Sequence, residues 1–177
     1  MWPSSRSSVA SRFRLFSTER TRLRREQYGF VFQFGQLVPE LTALENVALS
    51  LLLAGKKRDE AFALSEPWFD RISIKGLEKR RAGEISGGQA QRVALARALV
   101  LGPKVLFADE PTGALDVKTG VLVLEAVQRI NRELGTLTLV ITHNAILAEM
   151  ADRVFTMSDG RLEPARVQPA ARPRPGR

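Results

Sequence analysis

Four groups of residues have the types and spacing to act on a phosphorylated ligand. Ile85-Ser86-Gly87-Gly88-Gln89 sets two glycines behind a capping serine, and Val105-Leu106-Phe107-Ala108-Asp109-Glu110 ends an apolar run in an acidic pair. Gln33 closes a short aromatic and β-branched run, and His143, the single histidine, follows another apolar run. Phosphoryl transfer needs a cation held by a carboxylate, an oriented water and positive potential around the terminal phosphate. Asp109 is expected to hold Mg2+, directly or through water, and Glu110, pointing elsewhere from the next position, to polarise the attacking water as general base. His143 and Gln33 would sense the terminal phosphate and the metal. Ser86, Gly87 and Gly88 at a helix start present unpaired N–H groups and the positive end of the helix dipole, and the absent side chains let a phosphate approach the backbone. Each group also has a plainer reading. An acidic pair after a strand is often a solvated loop start, a lone histidine is more often structural, and Ser-Gly-Gly can be helix capping alone. Their joint presence carries the argument.

The elements that must position these groups alternate strand and helix. Tyr28 to Gln33 reads as a strand with Gln33 at its exit. Pro39 and Thr42-x-x-Glu45 supply a helix start with a capping box, and Leu41, Leu44, Val47, Ala48, Leu51 and Leu52 recur at helical spacing up to Gly55. A second helix is predicted from Arg58 to Ser65, stopping near Pro67, with a charged connection through Leu77 to Arg81. Ser86 caps a helix through Val100, which Gly102 and Pro103 end. Val105 to Ala108 and Thr138 to Thr142 read as strands buried on both faces of a parallel sheet. Between them Lys118 to Leu134 forms a helix with Val121, Leu122, Leu124, Ile130 and Leu134 turned to the core. A helix over Ala145 to Ala151 and a hairpin turning at Asp159-Gly160 follow. The pattern predicts an α/β parallel sheet with a helical lobe inserted at about residues 36–85, and ligands in such sheets collect at the carboxyl ends of the strands.

At 177 residues the chain is long enough for one domain with a real core. It has no cysteine, which excludes disulfides and thiolate metal sites. The net charge of +8 resolves into +6 over residues 1–25, +4 over 164–177 and −2 across 26–163. Basicity confined to the tails gives no folded basic face, so nucleic acid is not an expected partner and an ATPase of DNA repair or translation is disfavoured. The Ser/Arg bias of Met1 to Arg25 matches an organelle transit peptide in composition, although a solvated or non-native leader is the more economical reading. The Pro/Arg composition from Pro164 onward predicts disorder. Val47 to Ala54 falls short of the ~18–20 apolar residues that span a bilayer, so any membrane association is expected to come through a partner.

Taken in order, Gln33, Ile85 to Gln89, Val105 to Glu110, Gly113 to Asp116 and His143 resemble the Q-loop, signature motif, Walker B strand with its catalytic Glu, D-loop and H-loop of the ABC-transporter ATPases. The resemblance covers about residues 17–163. Leu41-Thr42-Ala43-Leu44-Glu45-Asn46-Val47 and Pro111 to Asp116 are most similar to the lipoprotein-release and macrolide-export group. It implies a P-loop NTPase-type sheet, ATP and Mg2+ as cofactors, Asp109 and Gln33 at the metal, and Glu110, His143 and Gln33 in catalysis. Ser86, Gly87, Gly88, Gln89 and Asp116 would contact nucleotide across a head-to-tail dimer, homomeric or with another ABC ATPase chain. The dimer would dock on a membrane permease at the cytoplasmic face of the plasma membrane, and the permease would choose the cargo.

One part of the family pattern is missing. No Gly-x-x-x-x-Gly-Lys-Ser/Thr loop occurs in the 177 residues, and the nearest approach, Gly113 to Thr119, lacks the second glycine. Residues 1–16 contain no glycine and do not resemble the family, which predicts an artefactual or rearranged start near residue 16 and a chain truncated before its phosphate loop. Losing one preorganised donor costs roughly 2.7–4 kcal/mol of transition-state stabilisation, so losing the loop is expected to abolish turnover in the chain's own site. The missing strands would leave unpaired sheet edges. Ser86 to Gln89 would still complete the site of an intact partner, which makes a non-catalytic partner subunit the alternative to a working ATPase.

Overall fold

The computed structural model describes residues 21–113 and 115–167. The leader before Thr21, Ala114 and the tail after Val167 lie outside them, so the expectations of a transit-like leader and a disordered terminus are not addressed beyond those limits. The chain divides into two compact units, one ending at Ile141 and one beginning at Thr142.

The first unit is built on a three-stranded parallel sheet, β1 (Tyr28–Val31), β2 (Val105–Asp109) and β3 (Leu137–Ile141), in the order β1-β2-β3. Val31 lies opposite Ala108, which lies opposite Val140. Between β1 and β2 come α1 (Ala43–Leu53), α2 (Arg58–Ser65), α3 (Pro67–Arg71), a 3-10 turn at Ala82–Glu84 and α4 (Gly87–Leu99); α5 (Val117–Leu134) joins β2 to β3. This is the α/β sheet with an inserted helical lobe that the alternation predicts.

The helix starts follow the sequence. Thr42 accepts from the N–H of Glu45 while the Glu45 carboxylate accepts from the N–H of Thr42, a closed capping box. Ser86 and Gln89 form the same reciprocal pair at α4. Pro67 begins a helix as well as ending one: it is the first residue of α3, where a missing N–H costs nothing. The short α3 carries Trp68 and Phe69 into the core, and with Ile72 they pack with Val47 of α1 and Val93, Leu95 and Leu99 of α4. Each such side chain contributes about 1.5–3 kcal/mol by leaving water. β1 lies so close to α4 that a Cβ on Gly29 would stand 2.6 Å from the Ala98 carbonyl oxygen, so only glycine fits there.

Three expectations are corrected. The sheet is not buried on both faces: Val31, Leu106 and Ala108 face the core, while Tyr28, Phe30 and Phe107 on the other side are half-exposed and Leu137, Leu139 and Ile141 are exposed. Strict alternation in β3 follows from the strand period of two, which a continuous apolar run conceals. On this outer face the rings of Phe30 and Phe107 stack at 5.3 Å, and Tyr28 meets Phe107 edge-on at 5.6 Å. The core stripe of α5 is Val123, Leu124, Val127 and Ile130; Leu122 and Leu134 are exposed and Val121 is half-buried. That stripe keeps the helical period through Val127, which the sequence reading passed over. β1 ends at Val31, so Gln33 sits on the turn beyond the strand.

The second unit holds α6 (Ala145–Ala148) and an antiparallel hairpin of β4 (Arg153–Ser158) and β5 (Arg161–Val167). Asp159 and Gly160 turn it with φ of 50° and 75°, the left-handed pair of a type I′ turn. Pro164 pairs with Phe155 next to a register shift at Val154/Phe155, so order continues past the proline to Val167. An irregular pairing on a two-stranded ribbon accommodates a residue that cannot donate. No helix among the described residues is long and apolar enough to cross a membrane.

Candidate functional site

The register that puts Val31 opposite Ala108 delivers the chain ends after β1 and β2 to the same edge of the sheet. From β1 the chain enters a tight turn. Gly35 donates its N–H to the Phe32 carbonyl at 3.1 Å and Gln36 to the Phe34 carbonyl at 2.7 Å, with φ of 67° and 45° at Gly35 and Gln36. The Gln33 side chain lies over Gly113, where an added Cβ would come within 2.8 Å of Gln33 Nε2. Gly113 is therefore the residue that lets Gln33 reach the segment after β2.

That segment is tightly wound. Asp109, the last residue of β2, is exposed at the sheet edge. Glu110 follows with φ of 45° and donates its N–H to the Ile141 carbonyl at 2.9 Å, extending the β2–β3 ladder by one rung. A left-handed glutamate costs about 1–3 kcal/mol. Gly113 donates back to the Glu110 carbonyl at 3.0 Å, and Leu115 to the Thr112 carbonyl at 2.9 Å. Asp116 then caps α5, its carboxylate accepting from the Thr119 N–H at 3.0 Å and the Thr119 hydroxyl at 2.6 Å. Those two bonds, the hydroxyl's first, hold the Asp116 carboxyl below its ordinary pKa.

The glycine-rich start of α4 adjoins this cap. A Cβ on Gly88 would stand 2.9 Å from Thr119 Cγ2 and 3.6 Å from Leu115 Cδ2, whereas one on Gly87 would meet nothing within 4 Å. Ser86 and Gly87 are exposed, and the N–H groups of Gly87 and Gly88 find no acceptor among the described residues. The Ser86 oxygen accepts the Gln89 N–H, which leaves the hydroxyl proton free to be donated. The residues thus fit an anion approaching along the α4 axis.

The structure therefore brings together Gln33, the 109–116 segment and Ser86 to Gln89. His143 belongs to the second unit, where it is exposed two residues past the end of β3. No group of three or more acidic or histidine side chains that could hold a metal occurs among the described residues.

Gln91, Arg97 and Asn46 have no role assigned by the sequence pattern. Asn46, fully buried, accepts from the Val38 N–H at 2.8 Å and donates to the carbonyls of Val38, Thr42 and Leu41 at 3.1, 3.0 and 3.3 Å. Gln91 and Arg97 reach from α4 to the turn after β1. Burial lowers the Arg97 pKa, but a guanidinium remains charged. For Gln91 and Asn46 the available signal was positional: each is a polar side chain at a buried helix position.

Comparison with known proteins decides what these parts belong to. Residues 6–113 match the family model described as ABC transporter, a span that takes in part of the Ser/Arg-rich leader. The chain belongs to the ABC transporter family. It is 46% identical over 150 residues to the lipoprotein-releasing system ATP-binding protein LolD of Geobacter metallireducens, covering 85% of this chain and 67% of that protein. LolD 2 of Caulobacter vibrioides is 45% identical over 154 residues, covering 87% and 68%. Among solved structures, the dimeric post-hydrolysis state of the ATP-binding cassette MJ0796, bound to ADP and Pi, superposes with a TM-score of 0.74 at 36% identity. That match covers 84% of this chain and 67% of the cassette. A second dimeric MJ0796 structure, titled a bacterial ABC transporter cassette, gives 0.74 at 37%. This ABC transporter ATP-binding domain thus spans about two thirds of the length of the relatives it matches. ATP is the family's nucleotide, and the α/β fold with its parallel sheet is that of the cassettes.

Proposed function

We propose that the chain is the ATP-binding motor part of an ABC transporter. It couples ATP hydrolysis to export of a substrate, or its extraction from a membrane, in a dimer with another ABC ATPase chain docked on a permease at the cytoplasmic face of the plasma membrane. Similarity to LolD proteins makes lipoprotein release the favoured task. The observation that carries the reading is the open start of α4, with exposed Ser86 and Gly87 and two N–H groups that meet no acceptor among the described residues, beside the capped start of α5.

In this reading Asp109 and Gln33 hold Mg2+, Glu110 takes the proton of the attacking water, and His143 meets the terminal phosphate. Ser86, Gly87, Gly88, Gln89 and Asp116 face nucleotide bound on the partner chain. The 177 residues contain no Gly-x-x-x-x-Gly-Lys-Ser/Thr segment, so the cradle for the β- and γ-phosphates comes from outside them. The second reading is a subunit that completes a partner's site and turns over no ATP of its own; the same open α4 start favours it.

Mixing the chain with LolD of Geobacter metallireducens separates the two. Association should change the ATPase rate, and Ser86→Arg should remove the change while leaving association intact. If the rate is unaffected although the chains associate, the shared site does not exist. Glu110→Gln, made in a chain supplied with a Gly-x-x-x-x-Gly-Lys-Ser/Thr segment, should lower the rate on the first reading and leave it unaltered on the second.

A further inference from the structure

Three hydrogen bonds between α4 and the turn after β1 have no part in the reading above. Gln91, buried in α4, donates through Nε2 to the Phe32 carbonyl at 3.0 Å. Further along the helix, Arg97 donates through Nη2 to the Gly35 carbonyl at 2.7 Å and through Nη1 to the Gln36 carbonyl at 2.9 Å. Two side chains of one helix thus take three carbonyls of the turn that carries Gln33. The backbones are close as well: a Cβ on Gly35 would stand 3.3 Å from both the Ala90 carbonyl oxygen and Gln91 Oε1, at a φ of +67° that side chains rarely adopt. A planar guanidinium can serve two adjacent carbonyls at once, whereas a lysine ammonium lacks that fixed fork. The same helix begins at Ser86 to Gln89, so one rigid element joins the open glycines to the support of Gln33.

We propose that Arg97, assisted by Gln91, is the positioning residue of the Gln33 turn, locking it to α4 so that Gln33 and the glycines at the helix start shift as one body. The consequence for nucleotide rests on the function proposed above; the clamp itself does not.

Amide hydrogen exchange on the full chain, first without nucleotide, tests the clamp. Arg97→Ala should raise exchange at Gly35 and Gln36 by about tenfold while α1 keeps its protection. Millimolar guanidinium should restore it and ammonium at equal ionic strength should not. Arg97→Lys, which keeps a helix-compatible cation, should show the same local rise and decides the matter if the alanine variant does not fold. Unchanged exchange in the lysine variant, a rise shared equally by α1, failure of guanidinium to restore protection or equal restoration by ammonium would each overturn the role.

A second arm adds intact LolD and Mg-ATP. Exchange should then slow together at Gly87, Gly88, Gly35 and Gln36 in the wild-type chain, but only at Gly87 and Gly88 in Arg97→Lys. Concerted slowing in the variant overturns the coupling. A wild-type chain whose Gly87 and Gly88 do not respond counts against the ATP reading, and the nucleotide-free arm still decides the clamp.

Discussion

The starts of α1 and α4 carry the same device and use it for opposite ends. Both open on a hydroxyl residue whose side chain and that of the residue three further on cap each other's backbone. At α1 every early amide is then consumed: Ala43 donates to the Arg80 carbonyl at 2.7 Å, Leu44 to the Glu78 carbonyl at 3.0 Å, and Glu45 to Thr42 Oγ1. Buried Asn46 fastens the approach to the helix from below. At α4 the first two amides belong to glycines and meet no acceptor among the described residues. The third residue differs too, a carboxylate at Glu45 against a neutral amide at Gln89. A glutamate satisfies the positive end of its own helix and repels an anion, whereas a glutamine closes the box and leaves that end available. One sequence signature therefore codes for a closed joint or an open helix start, according to the residues inside it.

The contrast is broken most severely at Asn46. Asn46→Ala removes four hydrogen bonds from a fully buried site and leaves the Val38 N–H without its acceptor, so stability should fall by about 2–3 kcal/mol in denaturant titration. Next comes the cap itself: Thr42→Ala should cost about 1 kcal/mol by the same measurement. Gln89→Glu would give α4 the charge that α1 carries. It should raise the KM for Mg-ATP of the LolD mixture several-fold, an effect of about 0.3–1 kcal/mol, with little change in melting temperature. An unchanged KM would mean that the α4 start meets no anion.

The smallest effect is an acid one. Thr42 holds the Glu45 pKa below its ordinary 4.5, first through the backbone N–H and then through the hydroxyl. A depressed carboxyl stabilises the fold above that ordinary value, and the contribution is lost as pH falls through the lower folded value. Melting curves taken down through that window should therefore fall more steeply for the wild type than for Glu45→Gln. Equal slopes would show that the carboxylate gains nothing from its box.

Local signals recovered most of this molecule. The Thr42–Glu45 capping box, the Ser86 cap, the bounds of α2 and the Asp159-Gly160 turn are written in adjacent residues and appear where the pattern predicts. Long-range facts were less legible. That Leu139 and Ile141 are exposed depends on which elements cover the sheet, and an apolar run looks the same covered or bare. The family was legible because the order of the motifs at residues 33, 85–89, 105–110 and 143 is distinctive. Arg97 was not, because its two acceptors are carbonyls some sixty residues away, at separations of 61 and 62. Nothing in a one-dimensional pattern marks a carbonyl.

The close approach of Gly29 to Ala98 has a mechanical consequence. A tilt of α4 pivoting on that contact would have a short arm toward Leu99 and a long one toward Gly87. At 1.5 Å per residue the long arm is about 16 Å, so a tilt of about 5° there would sweep the glycines through roughly 1.4 Å. A hydrogen bond would not survive that sweep, and the opposite arm would hardly move. The smallest side chain in β1 thereby marks where such a lever would turn.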